Sequence, residues 1–246
     1  MAEYIDFTVP QGWLELSDKQ LRYVYRLIAG NHDIASVKTL CLLRWSGTKV
    51  IGRLESGAYL LKKGKMLFEV TPLSLAELLT DLHWIVLLPV IPVRLSKINR
   101  KRALPRDFSD VPFETFIICD NLYQGYLHTQ DDALLDQLGA VLYGKDMDFK
   151  PYERINHFYW FASLKYYFSH RFPDFFQPIS VASGGNLLGS STPSVEEAMN
   201  AQIRALTKGD VTKEKEVLSL DTQRALTELN AQAREYKEMN SKIGAK

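Results

Sequence analysis

Five histidines, two cysteines and a few closely spaced carboxylates are the side chains best suited to chemistry here, and their spacing decides what they can do together. His32, His83, His128, His157 and His170 are scattered. Only His157 and His170 share a predicted helix, and thirteen positions of separation do not bring them to one ligand. No Cys/His pair has zinc-ligand spacing, so no metal site is expected. Cys41 and Cys119 each sit in an apolar stretch, which predicts buried free thiols. Asp146 and Asp148, in KDMDF, are two residues apart beside Gly144, a pattern that reads as a solvated turn rather than an acid/base pair. Asp131, Asp132 and Asp136 are accounted for by helix capping and one exposed helix face.

Other nucleophile and phosphate signatures are missing. Ser183, Gly184 and Gly185 lack the strand and helix that flank a nucleophile elbow. Gly57, Gly64 and Lys65 lack the spacing and the Lys-Ser/Thr ending of a phosphate-binding loop, and no G-x-G-x-x-G occurs. No catalytic residue and no cofactor is therefore predicted; an enzyme with no sequence-visible motif stands as the second alternative to a binding role. The strongest local charge signal is a run of six basic residues, Arg94, Lys97, Arg100, Lys101, Arg102 and Arg106, in a segment with four prolines at 89–112. Such a loop can contact nucleic-acid phosphates, chiefly through Arg100, Lys101 and Arg102, or meet an acidic protein face. No aromatic RNA-binding pattern or zinc-finger spacing accompanies it.

The elements that would position these residues are mainly helical. Ser17 and Gln20 fit a capping box, in which each side chain bonds a free amide of the other's residue, and open a helix stopped at Gly30 and Asn31. Val37 to Trp45 is a second apolar segment compatible with helix or strand, of which helix is favoured. Residues 48–70 change period and predict a small antiparallel β-hairpin with a turn near Lys63 and Gly64. Ser74 and Glu77 predict another capping box, followed by Leu78, Leu79, Leu82 and Ile85. The proline-rich segment reads as a long, partly extended loop. A helix resumes near Pro112, with Phe113, Phe116, Ile117 and Tyr123 on its apolar side. Thr129 is the expected cap of the next helix, which Gly144 closes. Pro151 to Phe172 is apolar nearly all round, with Ile155, Phe158, Tyr159, Ala162 and Tyr166 on one side and Phe161, Leu164, Phe168 and Phe172 on another. It is the expected core helix.

The fold class expected is thus mainly α, with a helical main domain over 1–182. A Gly/Ser-rich linker follows at 183–193, then a small C-terminal helical module at 194–246. Ser194 and Glu197 open the module with a third capping box, and Asp210 and Asp221 cap two further helices. Its apolar stripe supplies the candidate protein contacts Ile203, Leu206, Leu226, Leu229 and Tyr236.

Bulk properties restrict the partners. Thirty basic residues against twenty-nine acidic ones give no global pull toward nucleic acid or membrane. The apolar run Trp84 to Val93 is interrupted by Pro89 and Pro92 and falls short of the roughly 20 residues a membrane span needs. The N-terminal MAEYIDFTVPQGW has neither the basic start nor the apolar core of a signal peptide, so a cytoplasmic protein is expected.

The segment IRALTKGDVTKEKEVLSLDTQRALTELNAQAREY, with Gly209, Asp210, Lys213, Val217, Leu218, Ala225, Leu226 and Leu229, resembles helical segments of tail-assembly proteins of tailed phages. YQGYLHTQDDALLDQLGAVLYG and RFPDFF resemble prophage proteins of Bacteroidetes. The resemblance implies a non-enzymatic, chaperone-like assembly factor acting on other proteins, tail components among them, in a bacterial host cell. It implies no catalytic residues.

Overall fold

The computed structural model describes residues 7–145, 147–176 and 203–244, with side chains of the last helix as far as Ser241. Its elements in chain order are α1 (Asp18–Ala29), α2 (Ile34–Ser46), β1 (Thr48–Arg53), β2 (Tyr59–Lys63), β3 (Met66–Val70) and α3 (Pro72–Thr80). These are followed by β4 (Lys97–Ile98), β5 (Lys101–Arg102), α4 (Phe113–Thr129), α5 (Asp132–Tyr143), α6 (Pro151–Arg171), α7 (residues 203–207), α8 (Glu214–Ser219) and α9 (Thr222–Gly244). The architecture is mainly α with a small antiparallel sheet, as expected. The chain forms two compact units. One comprises Met1–Pro89, Val93–Ser96 and Phe149–Tyr159; the other comprises Val90–Pro92, Lys97–Asp148 and Trp160–Lys246. Long-range pairing, not composition, draws this division, and residues 203–244 belong with 97–148. The linker at 183–193 and the Ser194–Glu197 box lie outside the described residues.

In the first unit, Ser17 and Gln20 make the expected capping box of α1. Asp33 caps α2 by accepting from Ser36 N. β1, β2 and β3 form a three-stranded sheet in that order. The turn between β2 and β3 has Gly64 at φ 60°, the first-position conformation of a type II′ hairpin turn. α3 begins earlier than the Ser74–Glu77 box requires. Thr71 is the cap, its hydroxyl accepting from Ser74 N, because Pro72 fits the first helical position. The core gathers Leu21, Val24, Tyr25, Val37, Cys41, Leu61, Leu82 and Ile85. Around Trp13 the rings interlock, with Trp84 edge-on at 5.3 Å and Tyr25 stacked at 6.1 Å. The Trp13 indole N–H donates to the carbonyls of Trp84 and Leu87, so the short helical turn Trp13–Glu15 is tied to the turn at His83–Val86.

The second unit is built on α4, α5 and the later turns of α6, with Phe113, Phe116, Trp160, Phe161, Leu164 and Phe168 buried. Asp131, not Thr129, caps α5: its carboxylate accepts from Ala133 N. The Thr129 hydroxyl is turned back onto the Gly125 carbonyl of its own helix. Loop 105–111 is unusual. Phe108 is fully buried yet sits at φ 56°, a left-handed conformation that costs an aromatic L-residue about 1–2 kcal/mol. Neighbours hold it there. The Trp160 indole N–H donates to the Arg106 carbonyl, and the Gln223 amide donates to that of Asp107.

α9 docks onto the entrance of α4 through backbone pairing. Phe113 N donates to the Leu220 carbonyl at 2.7 Å, and both the amide and the hydroxyl of Thr222 donate to the Val111 carbonyl. Asp221 caps α9 through Arg224 N and also accepts from Asp110 N. A second clamp lies further along. Asn230 Oδ1 accepts from the amides of Asp174 and Phe175, just past the end of α6.

α6 corrects one expectation. Its buried positions include polar residues as well as rings: Glu153, Asn156, His157 and Ser163 are all at 3 % exposure or less. Asn156 Oδ1 accepts from Leu95 N at 2.8 Å, which explains one of them. Of the apolar side read from sequence, Ile155, Phe158 and Tyr159 are only half-buried and Tyr166 is exposed.

Candidate interaction site

The basic segment contains a small hairpin that the sequence reading treats as loop. Lys97 pairs with Arg102 and Ile98 with Lys101, and the two-residue turn has Asn99 at φ 47° and Arg100 at φ 67°. Positive φ at both positions is the type I′ hairpin turn, which prefers Asn-Gly. Arg100 therefore occupies a glycine position, exposed at the apex. Lys101 is engaged: its ammonium donates to the Lys145 carbonyl and its stem packs against Gly144, just past the end of α5. A cation there also meets the negative end of the helix dipole. Of the three candidate phosphate contacts, Arg100 and Arg102 face solvent, whereas Lys101 serves the fold.

The candidate protein contacts separate in the same way. Leu226 is 0 %, Leu229 4 % and Ile203 8 % exposed, so these three are core of the second unit rather than open surface. Leu206 is half-buried. Tyr236 is 64 % exposed. Beside it, one helical turn on, stands Met239 at 56 %, which the sequence reading did not single out. The signal was available: Leu226, Leu229, Ala233, Tyr236 and Asn240 repeat at alternating three- and four-residue steps, the spacing of a helix–helix seam, and Met239 borders it. The stripe is covered as far as Asn230 and open beyond it.

The electrostatics of this open half are specific. Asp174 receives Arg234 Nε and Lys237 Nζ, each at 3.1 Å. Those hydrogen bonds hold its carboxyl below the ordinary carboxylate range. Two cations of α9 are thereby committed to the clamp. Glu235 and Glu238 flank Tyr236 and Met239, and neither carboxylate has an ion-pair partner among the described residues. The seam that remains is apolar with acidic borders.

No protein-family model, curated protein or solved structure matches this chain. The remaining chemistry-bearing side chains can be located individually. His157 is buried edge-on to Phe149 at 4.6 Å, and His170 Nδ1 lies 2.8 Å from the Tyr166 carbonyl. Among the described residues no group of three or more His, Cys, Asp or Glu is placed to hold a metal ion, and no helix is long and apolar enough to cross a membrane. Asp148 is exposed, and Asp146 lies outside the described residues. Cys41 and Cys119 are buried free thiols. Burial pushes Cys41 up to about 12, and burial together with the Asp120 charge raises Cys119 as well.

Proposed function

We propose that this chain is a non-enzymatic protein-binding factor with a role in assembly, and that it presents the distal half of α9 to an amphipathic helix of a partner. One observation carries the reading. The apolar stripe buried at Ala225, Leu226 and Leu229 continues along the same helix into Tyr236 and Met239, which are open. Asn230 anchors the helix before that point, and Asp174 holds it at Arg234 and Lys237, so the open residues stand on a fixed base. Helix-in-groove and helix-on-helix recognition use such i, i+3, i+7 anchors. Glu235 and Glu238, without an ion-pair partner among the described residues, select a partner helix with Lys or Arg beside its apolar stripe. The resemblance of residues 203–236 to tail-assembly segments supports phage tail components as the partners.

The test is co-expression and capture with the products of the adjacent genes. The wild-type chain is expected to retain a partner that Tyr236→Lys with Met239→Lys releases, while circular dichroism of the two proteins stays the same. Equal retention by both sinks the reading.

A second reading has its own observation. Lys97 stands directly opposite Arg102 in the hairpin with Arg100 at the turn between, which gathers basic side chains on one short ribbon. Nucleic-acid binding through this hairpin predicts a mobility shift at low salt that Arg100→Ala with Arg102→Ala removes. No shift with DNA or RNA at low salt eliminates it.

A further inference from the structure

The sheet of the first unit has two edges, and only one is protected. β1 breaks register between Val50 and Gly52, the kind of bulge that blunts an edge strand. β3 pairs with β2 residue for residue from Met66 to Val70, with no bulge, no proline and no lysine in its sequence MLFEV. Among the described residues nothing bonds its outer side. Beside it runs an open depression of about 540 Å³.

Three consecutive residues of β3, Phe68, Glu69 and Val70, line that depression. Neighbouring side chains of a strand point to opposite faces, so consecutive residues share a cavity only along the strand's edge. The opposite wall is one face of α3 and its cap: Ser74, Glu77, Leu78 and Asp81, at steps of three, one and three. The groove thus lies between an unpaired strand edge and a helix. Phe68, with Phe7 edge-on at 5.8 Å, Val70 and Leu78 make its apolar floor. Every charged residue lining it is acidic, and the carboxylates of Glu69, Glu77 and Asp81 have no ion-pair or hydrogen-bond partner among the described residues.

We infer that the groove between β3 and α3 takes an extended segment of a partner protein, with Lys or Arg alternating with apolar residues, as a fourth strand added to β3. Main-chain bonding supplies the affinity of such strand addition, and the alternating side chains supply specificity. The apolar set meets the floor while the cations meet the three carboxylates. The chain's own first residues fit poorly, since MAEYID carries Glu3 and Asp6 and no cation. A second copy's β3 brings another Glu69 and likewise no cation within the strand. This inference uses none of the residues assigned to α9, so either reading can fail alone.

The test uses the full chain and a fluorescein-labelled synthetic peptide of alternating lysine and valine, followed by anisotropy. Saturable binding is expected, weakened about tenfold by Glu77→Lys with Asp81→Lys and weakened by salt. N-methylation of every second peptide amide, which keeps the charges but removes strand donors, is expected to abolish it. A glutamate–valine peptide is expected not to bind. Four results overturn the proposal: no binding, binding indifferent to N-methylation, binding indifferent to the double charge reversal, or binding that appears only once residues 1–6 are removed. A dimer in sedimentation that peptide must dissociate assigns the edge to a second copy and overturns it too. Tyr236→Lys is expected to leave peptide binding unchanged.

Discussion

Asn230→Leu isolates the clamp on which the exposed half of α9 depends. Leucine is close to asparagine in size and is a better helix former, so the change removes one acceptor and little else. In the native chain Asn230 is 8 % exposed, and its Oδ1 receives Asp174 N at 2.8 Å and Phe175 N at 3.1 Å. Phe175 N retains a second acceptor, the Phe172 carbonyl at 3.2 Å. Asp174 N has no other acceptor among the described residues, and leaving a buried donor unsatisfied costs about 1–3 kcal/mol. Set against roughly 0.5 kcal/mol gained from helix propensity, and with the site only partly buried, the expected loss is about 1–2 kcal/mol. For a chain of this size that lowers the thermal midpoint by about 2–8 °C. The local signature is sharper. Amide hydrogen exchange across residues 225–241 is expected to accelerate in the variant, while exchange in α1 and α2 does not. An unchanged midpoint together with unchanged exchange in α9 refutes the clamp, and with it the rigid base on which the proposed binding surface stands.

The same joint is pH-dependent through Asp174, whose carboxyl is held below its usual 3.8 by bonds from Arg234 and Lys237. A lowered folded-state value means the contribution is complete above that usual value and is lost as pH falls through the lowered one, so the protection of α9 amides, taken relative to the unfolded chain at each pH, is expected to be flat from pH 7 to pH 5 and to fall only in stronger acid. Asp174→Asn should remove that acid-dependent component when the two proteins are titrated side by side, and a loss of α9 protection between pH 7 and pH 5 in the wild type contradicts the assignment. Cys41 and Cys119 are buried thiols whose pKa burial raises, so neither is expected to react with a thiol reagent at pH 8 until the chain is unfolded, when both react. Arg100→Gly replaces a left-handed arginine with the residue that conformation favours; allowing for glycine's greater unfolded-state freedom, a gain of about 0.5–1 kcal/mol is expected. Lys101→Ala, one residue on, is expected to lower the midpoint because it removes the bond to the Lys145 carbonyl, and a reversed order of these two variants by calorimetry refutes the hairpin geometry.

What the sequence displays is local, and local signals served well. The Ser17–Gln20 box, the helix spacing of α4 and α5, the change of period at 48–70 and the Gly64 turn are each set by residues within a few positions of one another. The misplaced caps show the limit of the same logic. At Ser74 and Thr129 a good cap residue stands near a better one: Pro72 moves the start to Thr71 in one instance, and in the other Thr129 still belongs to the preceding helix, so Asp131 is the cap. The burial of Asn156 in α6 was not legible because the group that satisfies it comes from afar: Leu95 N reaches it across sixty-one residues of chain.

The candidate contacts follow the same rule, and there it bears on function. Leu226, Leu229 and Tyr236 are equivalent in the sequence, three members of one helical stripe. They are separated only by where the cover stops. That cover is recruited from residues 111–113 and 174–175, over fifty positions away, by backbone amides and carbonyls that carry no side-chain signature. Helical periodicity therefore identifies a face, while tertiary pairing decides which part of that face is used up. The remainder, Tyr236 and Met239 between Glu235 and Glu238, is a smaller and more specific surface than the stripe as a whole. A substitution at Leu226 or Leu229 would unfold the module and release any partner indirectly, whereas one at Tyr236 or Met239 acts on binding alone. The difference between those two outcomes, folded without partner against unfolded without partner, separates a contact from a support.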